Sequence, residues 1–283
     1  MTDLRAGGWL GDGPMTAVAE PRRWAELPPE SARAVTGVLT DIDDTLTTEG
    51  AITPDALAAL RALRDAGVPV IAITGRPMGW SIPFAHAWPV NAIVAENGSV
   101  ALFREGGVLH TEYAQDEATR QHNAMRLREV AQRVLREVPG ATLSQDSPGR
   151  VTDIAIDHSE FAHLTTAQID AVVQVMRAEG MSATVSSIHI NGWFGEHTKL
   201  SGARWIVQRL LGRQVDSELA QWVYVGDSTN DQLMFGHFPL SVGVANVRQF
   251  AAQLRVWPAY ITQGERGRGF AEVASTLLSA RAR

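Results

Sequence analysis

Gly37-Val38-Leu39-Thr40-Asp41-Ile42-Asp43-Asp44-Thr45 is a short apolar run that ends in three crowded carboxylates. The run is the first candidate strand of the chain, and its carboxyl end is the place where open α/β sheets present their ligand-binding edge. Like charges packed so closely repel, so such a cluster implies either a bound cation or carboxyl groups whose proton affinities are driven apart. An acidic surface turn is the alternative, and the choice depends on what the rest of the chain brings to the same edge.

Outward from this stretch the sequence alternates. Residues 52–67, ITPDALAALRALRDAG, read as a helix: Thr53 can cap it, Pro54 suits its first turn, Leu57, Leu60 and Leu63 form an apolar face, and Gly67 stands where it stops. VPVIAIT (68–74) and AIVAE (92–96) follow as buried-strand runs. The same grammar resumes with a helix from Lys199 to Gly212, strands at QWVYVGD (221–227), PLSVGVAN (239–246) and AYIT (259–262), and a last helix from Gly269. Continuous apolar strands alternating with helices predict a parallel sheet covered on both faces. The middle differs: a long helix over 116–138, a second over 165–180, and two strands, RVTDIAID and SATVSSIHIN, that mix polar and apolar residues and suit an antiparallel sheet open on one side. The expected organisation is a loosely held arm over 1–35 with a short helix near Pro29 to Ala34, a core over 36–99 and 196–283, and an α/β module over 100–195 inserted between its halves.

Composition narrows the chemistry. With 45% hydrophobic residues among 283, the chain can bury a full core. A net charge of −6 offers no basic footprint for nucleic acid or an anionic membrane, and no apolar run reaches the ~20 residues of a membrane span. The absence of cysteine excludes disulfides, thiolate zinc sites and a cysteine nucleophile, and fits a reducing compartment, so a cytoplasmic location is expected. The eight histidines are scattered, without a pair at helical metal-ligand spacing.

Three further segments fall at strand or helix ends of the same expected sheet: Thr74-Gly75-Arg76, Lys199, and Gly226-Asp227-Ser228-Thr229-Asn230-Asp231. Singly each has an ordinary explanation: a helix cap, a solvated lysine, an Asx-rich turn. Their joint order is specific. DIDDT, the ITGR threonine, Lys199 and GDSTND resemble the four ordered motifs of haloacid-dehalogenase-type phosphatases, over about residues 36 to 275. Insertion of the middle module near Asn97-Gly98 resembles the branch with a large α/β cap, which includes sucrose-phosphate and mannosyl-phosphoglycerate phosphatases. Two departures from the usual pattern are Asp44, where Gly is common, and the Leu-Ser-Gly that follows Lys199.

The resemblance implies an α/β fold with a Rossmann-like doubly wound parallel-sheet core and an inserted cap. It also implies a Mg²⁺-dependent phosphohydrolase acting on a small phosphate monoester, plausibly a sugar phosphate. Asp41 would be the nucleophile that becomes an aspartyl phosphate, and Asp43 the acid and then the base. The ion would be held by the Asp41 carboxylate, the Asp43 backbone carbonyl and the Asp227 carboxylate, with Asp231 supporting that set and Ser228 and Asn230 beside it. Thr74, Gly75 and Lys199 would hold the phosphoryl oxygens. In SSIHINGW, strand alternation places Ser187, His189 and Asn191 on one face, so His189 and Asn191 are candidates for substrate contact, with solvent-facing strand residues as the alternative. Arg150, Asp153 and the Trp80 to Trp88 segment are weaker candidates. A phosphomutase and a catalytically silent phosphate-binding module remain alternatives, a receiver-type domain needs neither the middle module nor Asp43, and both monomer and homodimer stay open.

Overall fold

A computed structural model describes residues 20–282. Among them the chain runs β1 (Arg22–Arg23), α1 (Pro29–Ala34), β2 (Gly37–Thr40), a small hairpin of β3 (Thr47–Thr48) and β4 (Ala51–Ile52), α2 (Pro54–Asp65), β5 (Val70–Ile73), α3 (Met78–Ala87), β6 (Ala92–Ala95), β7 (Val100–Glu105) and β8 (Val108–Tyr113). The middle module follows as α4 (Glu117–Glu137), β9 (Thr142–Leu143), β10 (Asp153–Asp157), α5 (Thr166–Ala178), β11 (Ser182–Val185) and β12 (His189–Trp193). The chain then returns through α6 (Lys199–Leu211), β13 (Trp222–Gly226), α7 (Gln232–His237), β14 (Ser241–Gly243), β15 (Tyr260–Ile261) and α8 (Arg266–Arg281).

The large sheet has nine strands in the order β1-β15-β14-β13-β2-β5-β6-β7-β8. Pairings from β1 through β6 are parallel, whereas β7 pairs antiparallel with both β6 and β8. Its central strands β2, β5, β6 and β13 are buried at every residue, as the unbroken apolar runs require. One face packs on α1, α2, α3 and α8 around Leu60, Leu63 and Phe270; the other packs on α6 and α7 around Ile206, Met234 and Phe238. From β2 the chain steps to β5 and β6 on one side and later returns to β13 on the other, so the order reverses beside β2. That reversal opens a crevice at the carboxyl ends of β2 and β13. Local chemistry sets the elements: the Thr53 hydroxyl caps α2 with Pro54 behind it, Thr198 and Ser201 form a reciprocal cap at the start of α6, and Gly212 ends α6 in the left-handed conformation.

Two boundaries differ from the sequence expectation. Residues 100–113 belong to the large sheet, because the Gly106-Gly107 turn folds β8 back on β7 before the inserted module starts. The arm expected over 1–35 is packed where it is described: β1 pairs with β15, and Trp24, Leu27, Ala32 and Val35 join the core, with α1 at the expected Pro29–Ala34. The remainder of that arm, residues 1–19, lies outside the described residues.

The inserted module is a four-stranded antiparallel sheet, β11-β12-β10-β9, carrying α4 and α5 on one face around Leu127, Val134, Val172 and Met176. Its other face turns toward the crevice. The two chain crossings between module and core are joined where the Gln115 side-chain amide donates to the Phe194 carbonyl at 2.8 Å. No helix among the described residues is long and apolar enough to cross a membrane.

Candidate active site

Four segments meet at the crevice. Asp41 leaves the end of β2, its amide bonded to the Val225 carbonyl of β13 at 2.8 Å; Asp227 leaves the end of β13; Thr74-Gly75-Arg76 leaves β5; and Lys199 opens α6. The Lys199 ammonium donates to Asp41 Oδ1 at 2.6 Å and to Asp231 Oδ1 at 2.7 Å. Asp41, Asp227 and Asp231 are buried and each offers an oxygen within 4.8 Å of the others.

These three carboxylates are not equivalent. Asp231 is saturated: Oδ1 accepts from Lys199 and from the Tyr224 hydroxyl, and Oδ2 from the amides of Asp227 at 2.9 Å and Ser228 at 3.2 Å. Asp227 Oδ1, by contrast, is buried without a hydrogen-bond partner, while its Oδ2 accepts from Asn246 at 3.3 Å. A buried, unsatisfied carboxylate oxygen is costly in a folded protein. Burial, with the neighbouring carboxylates adding and Lys199 opposing, raises the proton affinity of both Asp41 and Asp227 above the usual carboxylate range. A divalent cation between Asp41 and Asp227 would satisfy the orphaned oxygen and oppose both shifts, and an all-oxygen donor set suits Mg²⁺. The residues present therefore fit the ion, with Asp231 orienting its neighbours through saturated oxygens.

Asp43, two residues past Asp41, faces the crevice. Its Oδ1 accepts from Arg76 Nε at 2.9 Å and its Oδ2 from the Thr74 hydroxyl at 3.4 Å. Asp44 adopts φ +54°, in the left-handed region that favours glycine. Arg266 holds its carboxylate at 3.1 Å, and Asn246 donates to its carbonyl at 3.0 Å.

The inserted module closes the crevice from above, leaving a narrow pocket lined by Asp41, Asp43, Arg76, Ser187, His189 and Asn191, among others. His189 and Asn191 thus reach the site, as alternation suggested. The Asn191 amide donates to the Gly75 carbonyl at 3.2 Å and to Asp153 at 3.2 Å. Arg150 donates to the same Gly75 carbonyl at 2.9 Å and pairs with Asp153, so both weaker candidates serve as a bolt between module and core. Ser228 and Asn230 line the pocket and bond to each other at 3.0 Å. Thr74 and Lys199 stand behind Asp43 and Asp41 and contact the pocket through them. The Trp80 to Trp88 segment mainly packs: Phe84 lies tilted between Trp80 and Trp88 with centroids 4.4 and 4.7 Å away, and the Trp80 ring supports the Arg76 guanidinium at 5.1 Å.

Sequence reasoning missed the residues that organise the upper wall. Arg76 lay inside the quoted TGR motif without a role. It proves to be the hub, pairing with Asp43, with Asp146 at 3.1 Å and with Glu160 at 2.8 Å. Glu160 also accepts from His189 Nε2 at 2.9 Å. Burial alone would raise Glu160, but the bonds from His189 and Arg76 outweigh it and bring the carboxyl down to about 2. Neither Asp146 nor Glu160 belongs to a periodic pattern, so no local signal marked them.

A family model described as haloacid dehalogenase-like hydrolase matches residues 38–139, the stretch from β2 through α4. Over that stretch the chain is similar to haloacid dehalogenase-like hydrolases. Among its relatives is the phosphoglycolate phosphatase of Methanothermobacter thermautotrophicus, 26% identical over 244 residues, covering 85% of this chain and 98% of that protein. The sucrose-phosphatase of Synechocystis, solved with sucrose and phosphate, shares the fold with a TM-score of 0.61 at 17% identity, over 87% of this chain and 98% of that one. The C-terminal domain of C. albicans trehalose-6-phosphate phosphatase does so with a TM-score of 0.64 at 14% identity, over 92% and 98% of the two chains. The likeness to these two solved structures spans core and inserted module together.

Proposed function

We propose that this protein is a Mg²⁺-dependent phosphatase that cleaves small phosphate monoesters, sugar phosphates or related polyol phosphates, through an aspartyl phosphate on Asp41. The observation that carries the reading is the unsatisfied Asp227 oxygen beside an Asp41 carboxylate that Lys199 holds in place. Phosphate monoesters hydrolyse so slowly in water that enzymes supply up to about 10²¹-fold acceleration, and positioning with charge neutralisation must provide most of it. Mg²⁺, held by the Asp41 and Asp227 carboxylates and the Asp43 backbone carbonyl, would supply the charge that lets one anion approach another.

The chain's own residues do the rest. Lys199 fixes the Asp41 carboxylate so that its free oxygen can attack phosphorus in line with the ester oxygen. As the Asp41–phosphorus bond forms and the ester bond breaks, Asp43 gives its proton to the departing oxygen. Water then attacks the phosphorus of the acyl phosphate, Asp43 takes the water's proton, and phosphate leaves with Asp41 restored. Arg76 and Thr74 keep the Asp43 carboxyl aimed at the crevice for both transfers. The closed module excludes bulk water until that second step.

The test is Mg²⁺-dependent phosphate release from p-nitrophenyl phosphate and a panel of sugar phosphates. Asp43→Asn should retain Mg²⁺ binding and lose turnover by about 10²-fold or more. An Asp43→Asn enzyme with wild-type activity would remove Asp43 from the mechanism, and wild-type protein inert toward the whole panel would refute the phosphatase reading.

A further inference from the structure

The upper wall of the pocket carries a charge pattern that bears on which ester can enter. Two groups lining the pocket could greet an anion, Arg76 and His189. Both are taken. Glu160 accepts from Arg76 at 2.8 Å and from His189 at 2.9 Å, and the remaining Arg76 donors go to Asp43 and Asp146. Arg150, the next cation, is held by Asp146 and Asp153. Around the pocket's upper end two guanidinium groups therefore face four carboxylates, and Lys199 is occupied beneath by Asp41 and Asp231. What the wall turns toward a ligand besides these ion pairs is neutral and hydrogen-bonding: the Ser187 hydroxyl, the Asn191 carboxamide oxygen and the Asn230 amide nitrogen, with the Ser186 and Ser228 hydroxyls engaged in local bonds.

We infer that the leaving group of the substrate is an uncharged, hydroxyl-bearing one, and that Glu160 excludes leaving groups carrying a carboxylate. The inference rests on the phosphatase reading and narrows it. A carboxylate on the leaving group would meet a wall with no free cation and a surplus of like charge, and like-charge juxtaposition in a desolvated site is strongly discriminating. Hydroxyls can both donate to and accept from serine and asparagine side chains, so a polyol satisfies this wall without displacing any ion pair. This separates the chain from the relative named for phosphoglycolate, whose namesake ester bears a carboxylate.

The experiment compares kcat/KM of the wild-type, Mg²⁺-loaded enzyme for glycerol 3-phosphate and 2-phosphoglycolate, esters of similar size that differ in leaving-group charge, with p-nitrophenyl phosphate as reference. The expected result is a preference of about tenfold or more for the glycerol ester. Glu160→Gln should shrink that preference mainly by lowering KM for phosphoglycolate, a selective change that loosened packing would not produce. Equal or faster turnover of phosphoglycolate by an enzyme active on p-nitrophenyl phosphate would overturn the inference alone. Inertness toward all three esters would overturn the phosphatase reading and this inference with it.

Discussion

His197 sits on the return crossing from the inserted module to α6, and its protonation should be visible in the stability of the whole protein. The ring is 7% exposed, lies 5.5 Å from Trp193 in a stacked arrangement, and has no hydrogen-bond partner at either nitrogen. Burial pushes its pKa from 6.5 down to about 4. The folded protein thus keeps the ring neutral over a range in which the unfolded chain protonates it. The contribution to stability is complete above pH 6.5 and is lost as the pH falls through 6.5 toward about 4. At ~1.4 kcal/mol per pH unit the loss approaches about 3 kcal/mol. Acidic side chains titrate in the same range, so the measurement is a difference: urea unfolding of wild type and His197→Phe at about pH 7.5 and about pH 4, followed by tryptophan fluorescence and circular dichroism. Phenylalanine keeps the stack and removes the proton. The variant should lose about 3 kcal/mol less than wild type on acidification. If both lose the same amount within about 0.5 kcal/mol, the ring is not held neutral in the folded state and the reasoning fails.

Saturating Mg²⁺ should raise the unfolding midpoint, by about 2.7 kcal/mol of added stability at a hundredfold excess over Kd, and Asp227→Asn should abolish the effect; an unchanged midpoint in calorimetry would remove the ion from the site. In Gly226→Ala the new Cβ would lie 2.5 Å from Asp231 Oδ2, so the saturated carboxylate must shift, at about 1–3 kcal/mol in urea unfolding together with lost turnover. Full stability and activity in that variant would contradict the packing described around Asp231. Thr229→Val deletes the hydroxyl that donates to the Val185 carbonyl at 2.6 Å across the core–module boundary, and should cost about 1 kcal/mol in urea unfolding, with no loss counting against that tether.

The sheet edge was legible because two independent signals coincide there: apolar runs that must be buried strands, and carboxylates that have no reason to crowd a strand end without a counter-charge. Asp41, Asp43 and Asp227 stood out on that ground, and Lys199 only through its place in the joint order of the four motifs. The β7–β8 hairpin left a signal that was passed over. Gly106-Gly107 between two short apolar stretches, both glycines with positive φ, is a tight-turn pair of the kind that joins antiparallel strands. The packing of Trp24 and Leu27 had no such signal, because β1 pairs with β15 more than 230 residues away and nothing nearby in sequence reports it. Glu160 and Asp146 lie in turns of the inserted module. Their partner is Arg76, on the far side of the crevice, and only the closing of one layer over the other sets their place.

The link between Gln115 and the Phe194 carbonyl has a mechanical consequence. A body attached at two distant points can only flex against its frame, whereas one whose two attachments lie side by side is free to swing about the line through them. With its outgoing and returning chain fastened together at one spot, the inserted module has a single hinge line, and a swing about it would part Asp146 and Glu160, which the module carries, from Arg76, which stays with Asp43 on the core. Admission of a ligand would thereby break the Arg76 links and the Thr229–Val185 link across the boundary together.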